Sequence, residues 1–502
     1  MSSLSVDPEG PQGRATRADW RVVLLLAVVA LAARAQTFGN PVIGFDEQFY
    51  LVVGDRMLHG ALPFVDIFDR KPIGLFLIFA GVRLLGGEGT IQYQIVAGLF
   101  ALATAVLVHR AARRVAPPAG AVAAAVAYLL WLDFLEGEGG QAPVFFNLPM
   151  IVAAMLTARA WRSNGRGLTA LGCAAMLVTG VAIQIKYTAL FEGVFFGLAM
   201  LWTGWRAQVG HVRLAGMAAL WVGAALLPTA AAWLAYAAMG HGQEFLFANF
   251  LSMFGKLPDD TATKVLGLAT IVAILSPLLV MASCPPPPAD TEAAHERRFV
   301  QLWLLAAIAG FLAFGSFSTP QYAMPVLVPA VVAAAARLGV LRWGRASRWG
   351  LLAVAFVAGQ VVLASLRVNK GGRAEAMAVA AAARPHRGCL YVFDGYPALY
   401  RLTHTCLVSR FVFPGHLNMA NEASIKALGV DPSAEVERIM AAGPETVVDE
   451  WPVFERGNDA THAIVLHSLA RDYRLVLRQP TGPHRFRLVY RRLSPDRPPA
   501  PR

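Results

Sequence analysis

Charged residues are scarce in this sequence. Only 15% of its 502 residues are Asp, Glu, Lys or Arg, whereas 56% are hydrophobic, and the mean hydropathy is +0.50. So little charge excludes a chain made only of water-soluble domains. Uncharged stretches long enough to cross the roughly 30 Å hydrocarbon core of a bilayer recur between residues 21 and 367. The composition therefore predicts an integral membrane protein.

Cysteine is also rare, with four residues in the chain. Cys173 falls in an apolar segment and Cys284 beside a proline run, and neither is predicted to do more than pack. Cys389 and Cys406 lie in the polar C-terminal part, where an oxidising compartment would allow them to pair. Two cysteines alone leave the paired and the unpaired states both open.

Several motifs of soluble enzymes are missing. The sequence has no zinc-ligand spacing, no phosphate-binding glycine loop and no nucleophile elbow, and His404 and His416 alone do not make a metal site. The net charge of +12 comes from short arginine clusters between apolar segments and not from one groove-sized patch. This distribution predicts no nucleic-acid partner and instead indicates membrane topology.

Eleven apolar segments are predicted to span the membrane. They cover residues 22–38, 91–108, 115–132, 144–161, 168–185, 187–204, 214–238, 264–283, 299–317, 321–340 and 349–367. The arginine clusters all fall on one side if residues 1–20 form a cytoplasmic tail. The first segment lacks a small-residue cleavage site, so it is predicted to be an uncleaved helix. A proline run at 285–288 is predicted to be a stiff cytoplasmic connector.

The predicted domains follow from this count. Residues 21–367 form a transmembrane domain, and an odd number of spans places residues 368–502 outside as a periplasmic domain. Within that domain, residues 389–395 and 445–449 read as strands, 432–442 and 459–470 as helices, and "YRLVLRQ" with "RFRLVYRR" as paired strands. A small α/β domain is predicted. Its "FDGYPALY" and "RFVFPGH" segments either shape an acceptor site or only end strands.

Residues 73–87 decide the topology. This apolar piece is fifteen residues long and carries Arg83. If it crossed the bilayer, all later basic loops would move to the outer side, against the charge rule. Its length favours a helix that lies along the interface. Residues 39–90 are therefore predicted to form one large external loop.

This loop carries the groups that a transferase needs. Asp46 and Glu47 follow the first helix and are flanked by aromatic residues suited to the membrane interface, where a partly desolvated carboxylate can act as a base. Lys71 precedes Pro72, and its ammonium would reach the depth of lipid phosphates. Taken separately, an Asp-Glu pair is usually a solvated loop and a Lys-Pro pair a helix start, so only their combination favours a site.

The combination carries a family resemblance. The order of "DEQFY", "GDRMLHGALPFVD" and "DRKPIG" after the first helix resembles the first external loop of bacterial polyprenyl-phosphate-sugar transferases. This group includes protein O-mannosyltransferases and lipid A aminoarabinose transferases and has the C-type glycosyltransferase fold. Two later pieces are similar to the family's lysine turn and Tyr-x-x-Pro helix start: "GVAIQIKYTAL" (180–190) and "STPQYAMPVLVPA" (318–330). The specific motifs occupy about fifty of the first 340 residues.

The resemblance implies a fold and an activity. The fold would be a polytopic α-helical C-type glycosyltransferase domain followed by the α/β domain, in a bacterial inner membrane with the active site on the periplasmic side. The activity would be transfer of a single sugar, with inversion, from a polyprenyl-phosphate donor to a hydroxyl of an envelope lipid, polysaccharide or protein. Two lysines could replace a metal in this reaction, so no cofactor is expected to be required, and a divalent cation is allowed but not implied.

The resemblance also implies residue roles. Asp46 would be the catalytic base with Glu47 beside it, while Lys71 and Lys186 would bind the donor phosphate. Tyr322, and Tyr50 of the first motif, would line the same cavity.

The sequence departs from the family pattern at one position. Asn147 stands where the family has a second acidic residue, so that role is either lost or supplied by Glu136 or Glu138. Arg34 and Glu192 fall near the outer ends of predicted helices, where they either line the cavity, snorkel or pair with each other.

Two other functions remain as alternatives. A polyprenyl-linked oligosaccharide ligase would need external arginines for a pyrophosphate, whereas most arginines here are predicted to be cytoplasmic. A transporter would show an inverted repeat with charges near the bilayer midplane, and the sequence shows neither.

Overall fold

The computed structural model describes residues 11–163, 165–284, 291–340, 344–453 and 455–493. The first ten residues of the predicted tail and the proline run at 285–288 lie outside these ranges.

The described residues up to Lys370 are mainly helical. The helices are α1 (Pro11–Arg34), α2 (Phe45–Met57), α3 (Ile73–Arg83), α4 (Thr90–Ala112), α5 (Pro118–Trp131), α6 (Ala142–Arg162), α7 (Leu168–Ile183), α8 (Ala189–Arg206), α9 (His211–Ala238), α10 (Gly242–Leu246), α11 (Thr261–Ser283), α12 (Thr291–Phe314), α13 (Met324–Gly339) and α14 (Gly344–Lys370). Each of the eleven predicted spans coincides with one of them. Seven helices in the described ranges are long and apolar enough to cross a membrane.

The core of the bundle lies where α5 meets α13. Both helices are rich in alanine, and most of their side chains are buried. At their crossing, a Cβ added to Gly120 would lie 2.2 Å from the carbonyl oxygen of Ala335. Small residues thus allow the two backbones to touch, which is the usual way helices pack where surrounding lipid gives no hydrophobic driving force.

Helices α2 and α3 form a separate pair beside this core. Helix α3 has 11 residues and is about 16 Å long at 1.5 Å per residue, roughly half the hydrocarbon thickness. Its length agrees with the prediction of a helix that does not cross the membrane. The two helices meet at Gly54, where an added Cβ would lie 2.6 Å from the backbone of Phe79 and Ala80.

This close approach makes Gly54 a test of the α2–α3 pair. We expect Gly54→Ala to lower stability by about 1–3 kcal/mol, because the new methyl group meets backbone atoms that cannot rotate away. Thermal unfolding of the purified protein in detergent measures the loss. Gly81→Ala in α3 is the matched control, because its Cβ would have no neighbour within 4 Å. Equal melting temperatures for the two variants would contradict the close packing.

The C-terminal part is a small α/β domain. Its helices are α15 (Arg373–Ala383), α16 (Ala398–Leu402), α17 (Gly415–Asn418), α18 (Ile425–Leu428), α19 (Pro432–Ala441) and α20 (Asp459–Asp472), and its strands are β1 (Leu390–Val392), β2 (Thr446–Trp451), β3 (Tyr473–Gly482) and β4 (Arg485–Arg492). The sheet order is β1-β2-β4-β3. Strands β1 and β2 are parallel, and β4 is antiparallel to β2 and β3. The predicted fold class is confirmed.

A disulfide joins Cys389, just before β1, to Cys406 after α16, with the Cα atoms 5.0 Å apart. The paired state, one of the two left open by the sequence, is the one found. Cys173 and Cys284 are free.

Candidate active site

One cavity of about 380 Å³ lies where the α2–α3 region, four loops of the bundle and the C-terminal domain meet. Helix α2 and the residues before α3 form one wall. The predicted site residues that line it are Asp46, Glu47, Tyr50, Lys71, Glu136, Glu138, Lys186 and Tyr322. Residues that are up to 276 positions apart in the sequence thus meet in one chamber.

Asp46 is held by three hydrogen bonds to a single carboxylate oxygen. Its Oδ2 accepts from the Tyr50 hydroxyl (3.1 Å), from Nε2 of Gln141 (3.2 Å) and from Nε2 of Gln321 (3.3 Å). Burial raises the pKa of Asp46, but nearby Lys71 and the two amide donors outweigh it and leave the pKa below its usual value. Asp46 is therefore ionised at neutral pH and keeps its second oxygen for another proton donor.

Lys71 is positioned by a neighbouring carboxylate. Its Nζ lies 3.4 Å from both oxygens of Asp69, and Oδ1 of Asp69 also accepts the backbone N–H groups of Arg70 and Lys71. The ammonium is 5.3 Å from the ring centre of Tyr50. Burial lowers the pKa of Lys71, but Asp69 and Asp46 raise it to a net value above the usual one. Lys71 is thus a permanent cation.

Lys186 belongs to the turn between α7 and α8. Its Nζ donates to Oε1 of Gln321 at 3.1 Å and lies 4.1 Å from the ring centre of Tyr322. The amide of Gln321 therefore connects Lys186 to Asp46. Burial lowers the pKa of Lys186 to about 7, Lys71 adds to the decrease, and Asp46 opposes it. Lys186 gains or loses its charge near neutral pH.

This position of Lys186 predicts a pH effect. A phosphate monoester, the kind of ligand that the family resemblance implies for Lys186, is fully ionised above about pH 7.5, since its second pKa is about 6. We expect its affinity to fall by up to about tenfold per pH unit between pH 7.5 and 9, as Lys186 loses its proton. Lys186→Arg should flatten the profile, because arginine stays charged. An unchanged slope in that variant, measured by titration, would assign the effect to another group such as Glu136.

Three further carboxyl groups form what we call the acidic wall: Glu47, Glu136 and Glu138. Burial raises the pKa of all three. Glu138 and Asp46 raise that of Glu47 well above its usual value, and Glu138 contributes to the increase of the Glu136 pKa to about 7. Lys370, at the end of α14, lines the same region and donates to the carbonyl of Ile43 at 3.0 Å.

Three other sequence candidates lie outside the cavity lining. Arg34 is buried and donates to the carbonyls of Gly137 (2.6 Å) and Glu138 (3.2 Å), so it holds the loop that carries Glu136 and Glu138. Asn147 donates to the Tyr128 hydroxyl at 3.4 Å. Glu192 accepts from Nε1 of Trp303 at 2.7 Å and does not pair with Arg34.

The C-terminal domain supplies a side of the cavity that the sequence did not assign. Glu422 accepts from both Arg70 and Lys256 and so joins this domain to two loops of the bundle. Phe413 and His416, from the "RFVFPGH" segment, line the cavity. This segment therefore contacts the cavity, and that it shapes an acceptor site stays a prediction.

The described residues contain no group of three or more His, Cys, Asp or Glu side chains placed to hold a metal ion. That no metal is required stays a prediction.

Comparison with solved structures identifies the fold class. The chain has the C-type fold of membrane glycosyltransferases. It resembles ArnT from Cupriavidus metallidurans, solved with undecaprenyl phosphate bound, with a TM-score of 0.61 and 16% identity over 96% of this chain and 100% of that one. The Archaeoglobus fulgidus oligosaccharyltransferase with a tethered acceptor peptide gives 0.50 and 12% over 96% and 74%. No protein-family model matches, and neither does any curated sequence.

Proposed function

We propose that the protein is an integral membrane glycosyltransferase that moves a single sugar from a polyprenyl-phosphate donor to a hydroxyl acceptor of the cell envelope. The observation that carries this proposal is the ionised carboxylate of Asp46 between Lys71 and Lys186 in a buried cavity. Such a transfer needs a base and positive charge at the leaving phosphate, which Lys71 supplies and Lys186 supplies in its protonated form. The undecaprenyl phosphate bound to ArnT supports a lipid carrier of this kind.

The reaction is a single displacement. Asp46 takes the proton of the acceptor hydroxyl, and the acceptor oxygen forms a bond to the anomeric carbon. The bond from that carbon to the phosphate oxygen breaks, and its electron pair stays on the phosphate. Attack from the opposite face inverts the configuration.

The two lysines act on the leaving group. The donor is a phosphodiester with one negative charge, and the released polyprenyl phosphate carries almost two at neutral pH. Lys71 and Lys186 offset the charge as it develops, which favours the transition state over the bound donor. Because Lys186 has a pKa of about 7, the new negative charge on the phosphate also favours the protonated form of the Lys186 side chain.

We place the site on the periplasmic side of a bacterial inner membrane. The disulfide between Cys389 and Cys406 suits an oxidising compartment, and the arginine loops suit the opposite side. A protease-cleavable tag inserted after Gly87 tests this orientation. Cleavage in intact spheroplasts is expected, whereas cleavage only after lysis would contradict it.

The activity is tested with purified protein in lipid nanodiscs. A panel of polyprenyl phosphates carrying one labelled hexose or pentose is incubated with an envelope extract. Transfer of one labelled sugar supports the proposal. Transfer only from oligosaccharide-loaded polyprenyl carriers would identify a ligase instead. In proteoliposomes, movement of intact donor across the bilayer without transfer would identify a transporter.

A further inference from the structure

The acidic wall lies beside Asp46, and its carboxyl groups are not among the charged groups that most affect the pKa of Lys71. Glu47 and Glu138 are close together, because a Cβ added to the adjacent Gly139 would lie 2.6 Å from Oε1 of Glu47. The carboxylates that face Lys71 are different ones, namely Asp69, Asp46 and Glu422. Asp46 is thus close both to Lys71 and to Glu47. Glu136 also faces Lys186.

Several buried carboxyl oxygens of the acidic wall have no hydrogen-bond partner among the described residues. In the described part of the chain, both carboxyl oxygens of Glu47 and Oε2 of Glu138 are buried without a hydrogen-bond partner. Oε1 of Gln141, an uncharged group that lines the same cavity, is also buried and unpartnered. These residues are 1%, 3% and 5% exposed. Buried polar atoms without partners cost free energy, which a ligand that bonds to them would recover.

The chemistry of the wall selects among ligands. A phosphorylated ligand would meet the three carboxyl groups of the wall. Each carboxyl group that ionises would repel the negative charge of the phosphate. A cation would compete with the ammonium of Lys370, which already faces these groups. Hydroxyl groups fit best, because each both donates and accepts, as do protonated carboxyl groups. The raised pKa values of Glu47, Glu136 and Glu138 favour their protonated forms.

In-line geometry assigns the wall to the acceptor. The leaving phosphate is on the lysines, so the attacking hydroxyl approaches the anomeric carbon from the other side. Asp46 is the proposed base for that hydroxyl, and Glu47 and Glu138 of the acidic wall adjoin Asp46. We infer that the acidic wall is the acceptor subsite and that it takes an uncharged, hydroxyl-rich acceptor, such as the end of a neutral glycan, in preference to a phosphorylated one. This inference rests on the proposed function.

Fractionated acceptors test the inference. An envelope extract is separated by charge into neutral and phosphate-bearing fractions, and each is incubated with purified protein and the labelled donor panel. At least tenfold more label is expected in the neutral fraction. Label mainly in the phosphate-bearing fraction would overturn the inference and leave the proposed transfer intact. No label in either fraction, or in the unfractionated extract, would count against the proposed function itself.

Paired variants at Glu138 test the type of contact. Glu138→Gln keeps a group that donates and accepts, so transfer to neutral acceptors should stay within about threefold of wild type. Glu138→Ala removes those bonds and should raise the acceptor KM at least tenfold. If both variants lose activity equally, the wall binds a cation and the inference is wrong. Binding of polyprenyl phosphate, unchanged in both, confirms that each variant is folded.

Discussion

Asp46→Asn is expected to reduce sugar transfer by about 10²–10⁴-fold, the usual contribution of a general base. The amide has nearly the shape of the carboxylate and can still accept hydrogen bonds through its oxygen, so Tyr50, Gln141 and Gln321 keep a partner. The amide has no basic lone pair that could take the proton from the hydroxyl group of the acceptor. The loss should therefore appear in kcat, and the affinity for polyprenyl phosphate should change by less than about threefold. Initial rates and donor titrations in nanodiscs measure both quantities.

Glu88→Gln is the matched control for this substitution. It also converts a carboxyl group to an amide in the same external region, but Glu88 forms an exposed ion pair with Arg373, away from the cavity. Such pairs contribute little, so the control should retain wild-type rates. Full activity of Asp46→Asn would remove Asp46 from the site. Equal losses in both variants would point to a general effect on folding.

The site residues were identified from the sequence in two ways. Asp46 and Lys71 are charged groups beside apolar segments, where an unexplained charge is costly and so stands out. Lys186 was identified by the family resemblance of its segment. The short helix after Pro72 was predicted from its length and from the charge rule for the loops that follow it. The strands β3 and β4 of the C-terminal domain could also be predicted, because the alternation of apolar and polar residues along each strand is a local pattern.

Other parts of the site depend on long-range contacts. Gln141 and Gln321 orient Asp46, yet an amide beside an apolar segment carries no local signal. Arg34 stood out as a charge, but that its guanidinium holds the carbonyls of Gly137 and Glu138 follows only from how α1 packs. These contacts join residues 95 to 275 positions apart, and one sequence does not encode such pairing in any local pattern.

The C-terminal domain shows the same limit. Its elements were predicted, but its position over the cavity was not. Glu422 links Arg70, which precedes α3, to Lys256 of a loop before α11, and three chain segments must fold before these charges meet. The division of the cavity into a cationic half and an acidic half is therefore a property of the assembled structure, although each charge is visible in the sequence.

Lys71→Ala is expected to raise the donor KM by about 10–100-fold with a smaller effect on kcat, since a buried charge-assisted contact to phosphate contributes roughly 1.5–3 kcal/mol. The variant also leaves Asp69 without its ammonium partner, so the cavity becomes more negative where phosphate must enter. Lys71→Arg restores the charge and should recover part of the affinity.

Lys426→Ala removes an exposed lysine of α18 and serves as the control for a lost positive charge. Titration with polyprenyl phosphate distinguishes the outcomes. If Lys71→Ala binds the lipid as tightly as wild type, Lys71 does not hold the phosphate, and Lys186 would then be the remaining candidate of the two. If only kcat falls, Lys71 acts on the charge that develops as the carbon–oxygen bond breaks, and donor recognition must come from contacts to the lipid chain or the sugar.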